Sequence, residues 1–254
     1  MLEVKIIKCL SDNYSYLIND KKTNTVGIVD PSEFDPIDKE ISKKFKKLDF
    51  ILNTHHHNDH VGGNLELKKK YNAKIICSAH GNNSVPGADI KKSDNQIFLF
   101  GKTEFKVIHV PGHTIDHICF FSKSSKVIFT GDTLFSLGCG RVFEGTLEQM
   151  FKSLKKIKNI PKDTKVYCGH EYTANNAKFC VGFDRKNNYL KERIKIVKKN
   201  QEENIPTIPT LLSDELNSNI FLRCDNINIK HNLKMDNSSE LEVFTKLRAL
   251  KDQF

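Results

Sequence analysis

The chain has 254 residues, 38% of them hydrophobic and 28% charged, and its formal net charge at pH 7 is +9. This composition excludes wholesale disorder, and the lack of any run of about 18 apolar residues excludes a transmembrane helix. The lysines that give the positive charge lie in short groups such as Lys68-Lys69-Lys70, which indicates solvated helix faces rather than a nucleic-acid surface.

Short apolar runs bounded by turn residues alternate with helical patterns in the first two-thirds of the chain. Strands are predicted at residues 4–7, 16–18, 26–29, 50–52, 75–77, 97–100, 105–110, 118–121, 127–130 and 166–168. Helices are predicted between them at residues 37–45, 65–71 and 147–157. After Tyr172 the strand patterns cease, and helices are predicted at 173–180, 188–203 and 238–251.

This change of pattern predicts two domains, an α/β domain over residues 1–172 and a small all-helical domain over residues 173–254. The chain opens directly on a strand pattern, without a secretory or organellar presequence. Its 7 cysteines are odd in number, widely spaced and without a C-x-x-C pair, which is typical of reduced, buried thiols. We therefore expect a cytoplasmic protein with no membrane association.

The segment Thr54-His55-His56-His57-Asn58-Asp59-His60 directly follows the predicted strand at 50–52. An extended backbone points the side chains of His55 and His57 to the same side, and Asp59 and His60 lie past the turn, where they can face a second point. Nitrogen and oxygen donors of this kind suit zinc, iron or manganese rather than calcium. The motif therefore predicts two metal sites that need further donors.

Three further donors each follow a predicted strand and a glycine. They are His113 after Gly112, Asp132 after Gly131 and His170 after Gly169. The repeated context favours one site at the ends of several strands over unrelated histidines. His55, His57, Asp59, His60, His113, Asp132 and His170 together suit two metals that share one carboxylate. His56 is expected to face away from the metals, and His80, His109, His117 and His231 are expected to be structural or exposed.

The motif H-x-H-x-D-H, followed by G-H, G-D and G-H, resembles the metallo-β-lactamase superfamily. A closer resemblance is to the glyoxalase II (hydroxyacylglutathione hydrolase) family, and it covers nearly the whole chain. It rests on Phe129-Thr130-Gly131-Asp132-Thr133-Leu134-Phe135, Gly138-Cys139-Gly140-Arg141, Glu144-Gly145-Thr146, Cys168-Gly169-His170-Glu171-Tyr172-Thr173 and Arg248-Ala249-Leu250-Lys251-Asp252-Gln253-Phe254. The resemblance implies a four-layer αββα sandwich followed by a small helical domain.

The same resemblance implies a role for each site residue. His55, His57 and His113 would hold one metal, Asp59, His60 and His170 a second, and Asp132 would bridge them together with a hydroxide. Arg141, Phe143, Tyr172, Arg248 and Lys251 would bind the substrate. The implied reaction is hydrolysis of S-(2-hydroxyacyl)glutathione thioesters, typically S-D-lactoylglutathione to D-lactate and glutathione, with Asp59 and Asp132 serving the catalysis. The implied cofactors are two divalent cations, with zinc favoured and iron or manganese left open.

The sequence departs from the family at three places. Phe143 stands where the family usually has tyrosine, Asn58 where it has tryptophan, and Ile220 where it has proline. None of them is a predicted metal ligand, so we expect an effect on substrate affinity rather than on the reaction.

Two other functions remain as alternatives, namely glutathione-persulfide dioxygenation with one iron and a metal-dependent nuclease. The expected partner is a small glutathione thioester, with neither nucleic acid nor an obligate protein partner.

Overall fold

The computed structural model describes residues 2–82 and 84–254. Its strands are β1 (Leu2–Cys9), β2 (Asn13–Asp20), β3 (Thr25–Val29), β4 (Phe50–Leu52), β5 (Lys74–Ser78), β6 (Ile90–Lys92), β7 (Ile97–Phe100), β8 (Thr103–His109), β9 (Ile118–Ser122), β10 (Val127–Gly131), β11 (Leu134–Phe135), β12 (Gly138–Cys139), β13 (Lys165–Cys168) and β14 (Thr210–Leu211). Its helices are α1 (Asp35–Lys44), α2 (Asn58–Val61), α3 (Asn64–Tyr71), α4 (Leu147–Lys158), α5 (Thr173–Asp184), α6 (Asn188–Glu202), α7 (Leu212–Ser218), α8 (Ile227–Asn232) and α9 (Glu240–Asp252), with a 3₁₀ turn over Ile220–Leu222.

The strands form two mixed six-stranded sheets and a small ribbon of β11 and β12. The first sheet has the order β1-β2-β3-β4-β5-β6, antiparallel from β1 to β3 and parallel from β3 to β6. The second has the order β14-β13-β10-β9-β8-β7, in which only β10 and β13 are parallel. The central strands β3, β4, β5, β9 and β10 are largely buried and mostly apolar, as is typical of strands covered on both faces.

Alternating side chains of each strand belong to different layers of the core. On β2, Tyr16 and Ile18 pack between the two sheets, against Phe105 and Phe129 of the second sheet. Leu17, which points to the opposite face, packs with Ile37 and the other buried residues under α1 and α3. The outer face of the second sheet packs on α4 and on the helices that follow residue 172. The predicted four-layer αββα sandwich with C-terminal helices is confirmed.

The predicted strands and helices are confirmed, with ends that shift by a few residues. A capping box starts α4, because Thr146 Oγ1 accepts the N–H of Gln149 and the Gln149 side chain accepts the N–H of Thr146. The expectation that strands cease after Tyr172 is wrong, since β14 pairs with β13. The strand β14 has only two residues, and a segment this short shows too little periodicity to be recognised as a strand from the sequence.

No helix in the described part of the chain is long and apolar enough to cross a membrane. All 7 cysteines are free and buried, as expected from their spacing.

Candidate metal centre

The histidine-rich loop leaves the sheet at the end of β4. His55 lies at a bend just after β4, and His57, whose backbone is extended, is the residue before α2, which carries Asp59 and His60. The buried Asn53 amide donates to the His60 carbonyl at 2.9 Å and so closes the loop on itself. The short helix turns the backbone, and the motif thereby presents its donors in two directions, as the sequence predicts.

The three downstream donors reach the same place from three strands of the second sheet. Gly131 has a positive φ of 45°, which lets the chain leave β10 and turn Asp132 inward. A Cβ on Gly169 would lie 2.2 Å from Asp132 Oδ1, so only glycine allows His170 to come this close. These glycines confirm the predicted strand-then-glycine context and explain it by close approach of the backbone.

His55, His57 and His113 form the first cluster of donors. One ring nitrogen of each lies within 4.8 Å of one nitrogen of each of the others. His57 Nδ1 is 3.0 Å from His113 Nε2, so His57 presents its Nδ1 to the cluster. Three converging imidazoles with no carboxylate are a typical zinc-binding set.

Asp59, His60 and His170 form the second cluster. Asp59 Oδ2 lies 3.5 Å from His60 Nε2 and 3.3 Å from His170 Nε2. Asp132 stands between the two clusters, with Oδ1 3.4 Å from His60 Nε2 and Oδ2 3.4 Å from His113 Nε2. All seven donors predicted from the sequence are therefore brought together around one carboxylate.

Four of the imidazoles form a hydrogen bond through Nδ1, on the side of the ring away from the other donors. The oxygen that each Nδ1 contacts is Thr54 Oγ1 at 3.0 Å for His55, Asp30 Oδ2 at 3.1 Å for His60, the Arg141 carbonyl at 2.8 Å for His113 and Asp12 Oδ1 at 2.8 Å for His170. A hydrogen bond at Nδ1 fixes the ring and leaves the Nε2 lone pair for a metal.

Whether a metal fits this site depends on whether the ligand atoms that face inward already have hydrogen-bond partners. His55 Nε2, His60 Nε2 and Asp132 Oδ1 are buried and have no hydrogen-bond partner among the described residues. Buried polar atoms without a partner are costly, and a cation is the group that these lone pairs would satisfy. The donor set and its unpartnered atoms thus fit divalent metal.

Burial dominates the pKa of His55, whereas the pKa values of His60 and Asp132 are set by their opposite charges. Burial, together with His60 and His117, lowers the pKa of His55 well below its usual value. Burial alone would also lower the pKa of His60, but Asp132 and Asp30 raise it to about 10. Burial would raise the pKa of Asp132, yet His60 and His170 hold it well below its usual range. The carboxylates therefore stay ionised and attract positive charge to this end of the sandwich.

Several supporting residues were not predicted. Asp30 accepts the N–H and the hydroxyl of Thr54 as well as the His60 contact, and Asn13 Nδ2 donates to Asp59 Oδ2 at 2.9 Å. His117, expected to be structural, is buried, stacks on His55 at 4.6 Å and accepts the Asp132 N–H. Asp30 directly follows a predicted strand, which is the signal that could have identified it.

His56 faces away from the metal ligands, as expected. Its Nδ1 lies 2.9 Å from Asp116 Oδ1 and its Nε2 3.3 Å from Glu144 Oε1. It therefore connects the histidine loop to the loop around His113 and to the segment after Arg141.

A cavity of about 480 Å³ opens beside the clusters. Its walls include His57, Asp59, His113, Asp132 and His170, and all five predicted substrate residues line it, namely Arg141, Phe143, Tyr172, Arg248 and Lys251. Asn175, Asn176, Asp252 and Phe254 also line it and were not predicted.

The two predicted aromatic residues of the cavity lie next to the histidines. Phe143 is 61% exposed, and its ring centroid lies 5.2 Å from that of His113 and 5.9 Å from that of His57. The Tyr172 ring stacks on His170, with centroids 4.7 Å apart and planes 3° apart. One aromatic ring therefore stands beside each cluster of donors.

Arg141, Arg248 and Lys251 form what we call the basic end of the cavity. Arg248 is buried, and its Nη1 donates to the Cys139 carbonyl at 2.7 Å. Lys251 Nζ lies 5.3 Å from the centre of the Phe179 ring and 4.7 Å from that of Phe254. No carboxylate of the described residues lies within 4.0 Å of Lys251 Nζ, so its charge is available to an anion.

Comparison with known proteins agrees with this geometry. The family model described as Metallo-beta-lactamase superfamily matches residues 11–170, and the model described as Hydroxyacylglutathione hydrolase C-terminus matches residues 171–254. A relative from Pelagibacter ubique (strain HTCC1062), named "Hydroxyacylglutathione hydrolase", is 49% identical over 253 residues, with 100% of both chains covered. One of the same name from Methylococcus capsulatus is 41% identical over 254 residues, covering 100% of this chain and 99% of its own.

Among solved structures, ETHE1 from Myxococcus xanthus superposes with a TM-score of 0.67 at 22% identity, covering 99% of each chain, and so shares the fold. The two family models together cover the α/β sandwich and the helices that follow it, and the full-length relatives carry a single name. The chain therefore belongs to the hydroxyacylglutathione hydrolase family of the metallo-β-lactamase superfamily.

Proposed function

We propose that this protein hydrolyses S-(2-hydroxyacyl)glutathione thioesters, typically S-D-lactoylglutathione to D-lactate and glutathione. The observation that carries the proposal is the position of Asp132, between two clusters of donors and on the wall of a cavity with a basic end. Full-length relatives that bear the name of this activity support it.

The proposed cofactors are two divalent cations, one held by His55, His57 and His113 and the other by Asp59, His60 and His170, with Asp132 shared. Zinc is the cation we favour, because imidazole nitrogens dominate the set, whereas iron and manganese accept the same donors. When bound, the two cations would supply a hydroxide near neutral pH and positive charge opposite the oxyanion that develops on the carbonyl.

The protein's own residues contribute orientation and protection from water. Asp59, held by Asn13, lies at the cavity wall, where its carboxylate can orient the attacking water. Phe143 covers His57 and His113 on one side of the cavity and Tyr172 covers His170 on the other. The leaving thiolate needs no strong acid to protonate it, because a thiol has a pKa of about 8.5.

The substrate would lie with its thioester at Asp132 and its glutathione part toward the basic end. Glutathione carries two carboxylates, which Arg141, Arg248 and Lys251 can meet as bidentate or single contacts. Two of these basic side chains, Arg248 and Lys251, lie on α9. We therefore also propose that residues 173–254 form the substrate-binding domain. We propose a cytoplasmic location, because 7 free thiols are typical of a reducing compartment.

The test is the loss of thioester absorbance when S-D-lactoylglutathione is added to the metal-loaded protein, with the bound metal measured by elemental analysis. We expect turnover by the wild type, a fall in kcat of more than about 100-fold in Asp132→Asn, and less metal bound by that variant. Asp163→Asn is the matched control, since Asp163 pairs with Lys126 at the opposite end of the sandwich. A metal-loaded wild type without turnover would reject the proposed reaction.

Glutathione-persulfide dioxygenation, the other reaction considered on this fold, requires one iron held by two histidines and an aspartate. The second cluster of donors is unnecessary for that reaction, and the chain's seven converging donors favour the hydrolase. Oxygen uptake with glutathione persulfide would reverse this preference.

A further inference from the structure

Asp252, at the end of α9, joins the two arginines of the basic end. Its Oδ1 accepts from Arg141 Nε at 3.1 Å and lies 3.0 Å from Arg248 Nη2, and its carbonyl accepts from Arg141 Nη2 at 3.2 Å. Arg141 belongs to the segment after β12, whereas Arg248 and Asp252 lie on α9. One carboxylate therefore holds together two like charges that come from distant parts of the chain.

The position of this carboxylate is unfavourable for the helix itself. The C-terminal end of a helix carries partial negative charge, so an aspartate at the last position of α9 is repelled by the backbone. Lys251, the preceding residue, is the kind of side chain that a helix end favours. The helix dipole thus disfavours Asp252, whose favourable contacts are the pair with Arg248 one turn earlier on α9 and the contact with Arg141 outside the helix.

Asp252 leaves most of the hydrogen-bonding capacity of the arginines free. It takes the Nε–H and one Nη2 contact of Arg141, whose side chain is 52% exposed. It contacts only Nη2 of Arg248, and the Nε of that residue is buried without a hydrogen-bond partner. An incoming carboxylate can therefore be bound while Asp252 keeps both guanidinium groups in place.

We propose that Asp252 is a positioning residue for the glutathione part of the substrate. It fixes Arg141 beside Arg248 before the ligand arrives, so that the glycine carboxylate of glutathione meets a preformed pair of guanidinium groups. Because the pair is held in advance, less side-chain freedom is lost on binding. This inference rests on the proposed function for the identity of the ligand, and it assigns Asp252 no contact with the reacting atoms.

The experiment compares the wild type with Asp252→Asn, which keeps the size of the side chain, and Asp252→Ala. The probes are glutathione, measured by calorimetry, and S-D-lactoylglutathione, measured by turnover. We expect the Kd for glutathione and the KM to rise about fivefold in both variants, while kcat stays within about twofold. Asp163→Asn again serves as the control and should change neither constant.

A substrate whose glycine carboxyl is esterified separates positioning from a general loss of structure. If Asp252 acts through Arg141 and Arg248 on that carboxylate, wild type and variants should have the same KM for the ester. An unchanged or lower Kd for glutathione in the variants would overturn the inference, as would an equal rise in KM for the ester.

The reaction and the positioning role can fail separately. A wild type that hydrolyses no thioester but binds glutathione more tightly than the Asp252 variants would support the inference and reject the proposed reaction. A wild type that binds no glutathione would reject both.

Discussion

The metal centre and the basic end of the cavity are held in place by different means. At the metal centre the side chains of His55, His60 and Asp132 are almost fully buried, and the ring nitrogens that face outward are hydrogen-bonded to the protein. At the basic end, Arg141 is half exposed and Lys251 is held mainly by aromatic rings. The side chains of the centre are therefore enclosed by protein and intolerant of change, whereas Arg141 and Lys251 at the basic end remain accessible to a ligand.

Under the proposed function, this difference assigns chemistry and affinity to separate parts of one cavity. Changes at the metal centre should lower kcat and metal content together. Changes at the basic end should raise KM and leave kcat alone, because those contacts bind the ground state and the transition state alike.

Among the residues that support the metal centre without being predicted ligands, the largest effect is expected at Asp30. Asp30→Asn keeps the size of the side chain and tolerates the positive φ of 48°, yet it removes the charge that faces His60 Nδ1. We expect metal affinity or kcat to fall about 10- to 100-fold, measured by metal titration and turnover. Asp225→Asn, a change of an exposed carboxylate, is the control. Full metal binding and normal kcat in Asp30→Asn would contradict the view that this region is intolerant.

At the basic end, Lys251→Ala should raise the KM for S-D-lactoylglutathione about tenfold, since it removes one charge-assisted contact with the ligand. We expect kcat to stay within about twofold. Lys246→Ala on the exposed side of the same helix is the matched control. A fall in kcat without a change in KM would show that the two regions are not separable.

A carboxylate outside both regions provides a pH-dependent reference for stability. Asp20 accepts the N–H groups of Lys22, Lys102 and Thr103 at 2.8, 2.7 and 2.8 Å. Burial alone would raise the pKa of Asp20, but these hydrogen bonds hold it below the usual 3.8. Because the pKa is lower in the folded chain, the carboxylate stabilises the fold above about pH 4, and this contribution is lost as the pH falls further.

We therefore expect Asp20→Asn to lower the free energy of unfolding by about 1–2 kcal/mol at pH 7, and by progressively less below about pH 4. Urea unfolding at several pH values, with a chelator so that metal binding does not contribute, measures the difference. A difference that stays constant down to pH 3 would contradict the assigned role of these hydrogen bonds, and catalytic constants at pH 7 should not change.

The smallest effect is expected at Phe143, where the family usually has tyrosine. Phe143→Tyr adds a hydroxyl at the cavity wall and should lower KM about threefold, the worth of one hydrogen bond to the ligand. Tyr172→Phe is the complementary change and should raise KM by a similar factor. An unchanged KM in both variants would place the glutathione part of the substrate away from the aromatic walls.

Most of the metal centre was predictable because its donors are marked locally. The spacing within His55-His56-His57-Asn58-Asp59-His60 and the glycine before each later donor are properties of short segments. The supporting contacts were not predictable in the same way. Asp12 and His170 are 158 residues apart, and their contact exists only because β1 and β13 end at the same edge.

In the helices after residue 172, contacts between residues distant in the chain were likewise not predictable. The residue pattern at 238–251 predicted α9, but not that Asp252 would meet Arg141 across 111 residues. Likewise β14 is too short to be recognised without its partner strand. The boundary between residues 172 and 173 as a division into two domains stays a prediction.

The main strands and helices, the seven candidate metal donors, the family and hence the class of reaction could be read from the sequence alone, because each depends on residue types at short spacing. The structure was needed to show which nitrogen each histidine presents, which carboxylates hold those rings, and how the arginines are paired. These depend on contacts between segments distant in the chain, and such contacts form only when the two sheets and the helices pack closely together.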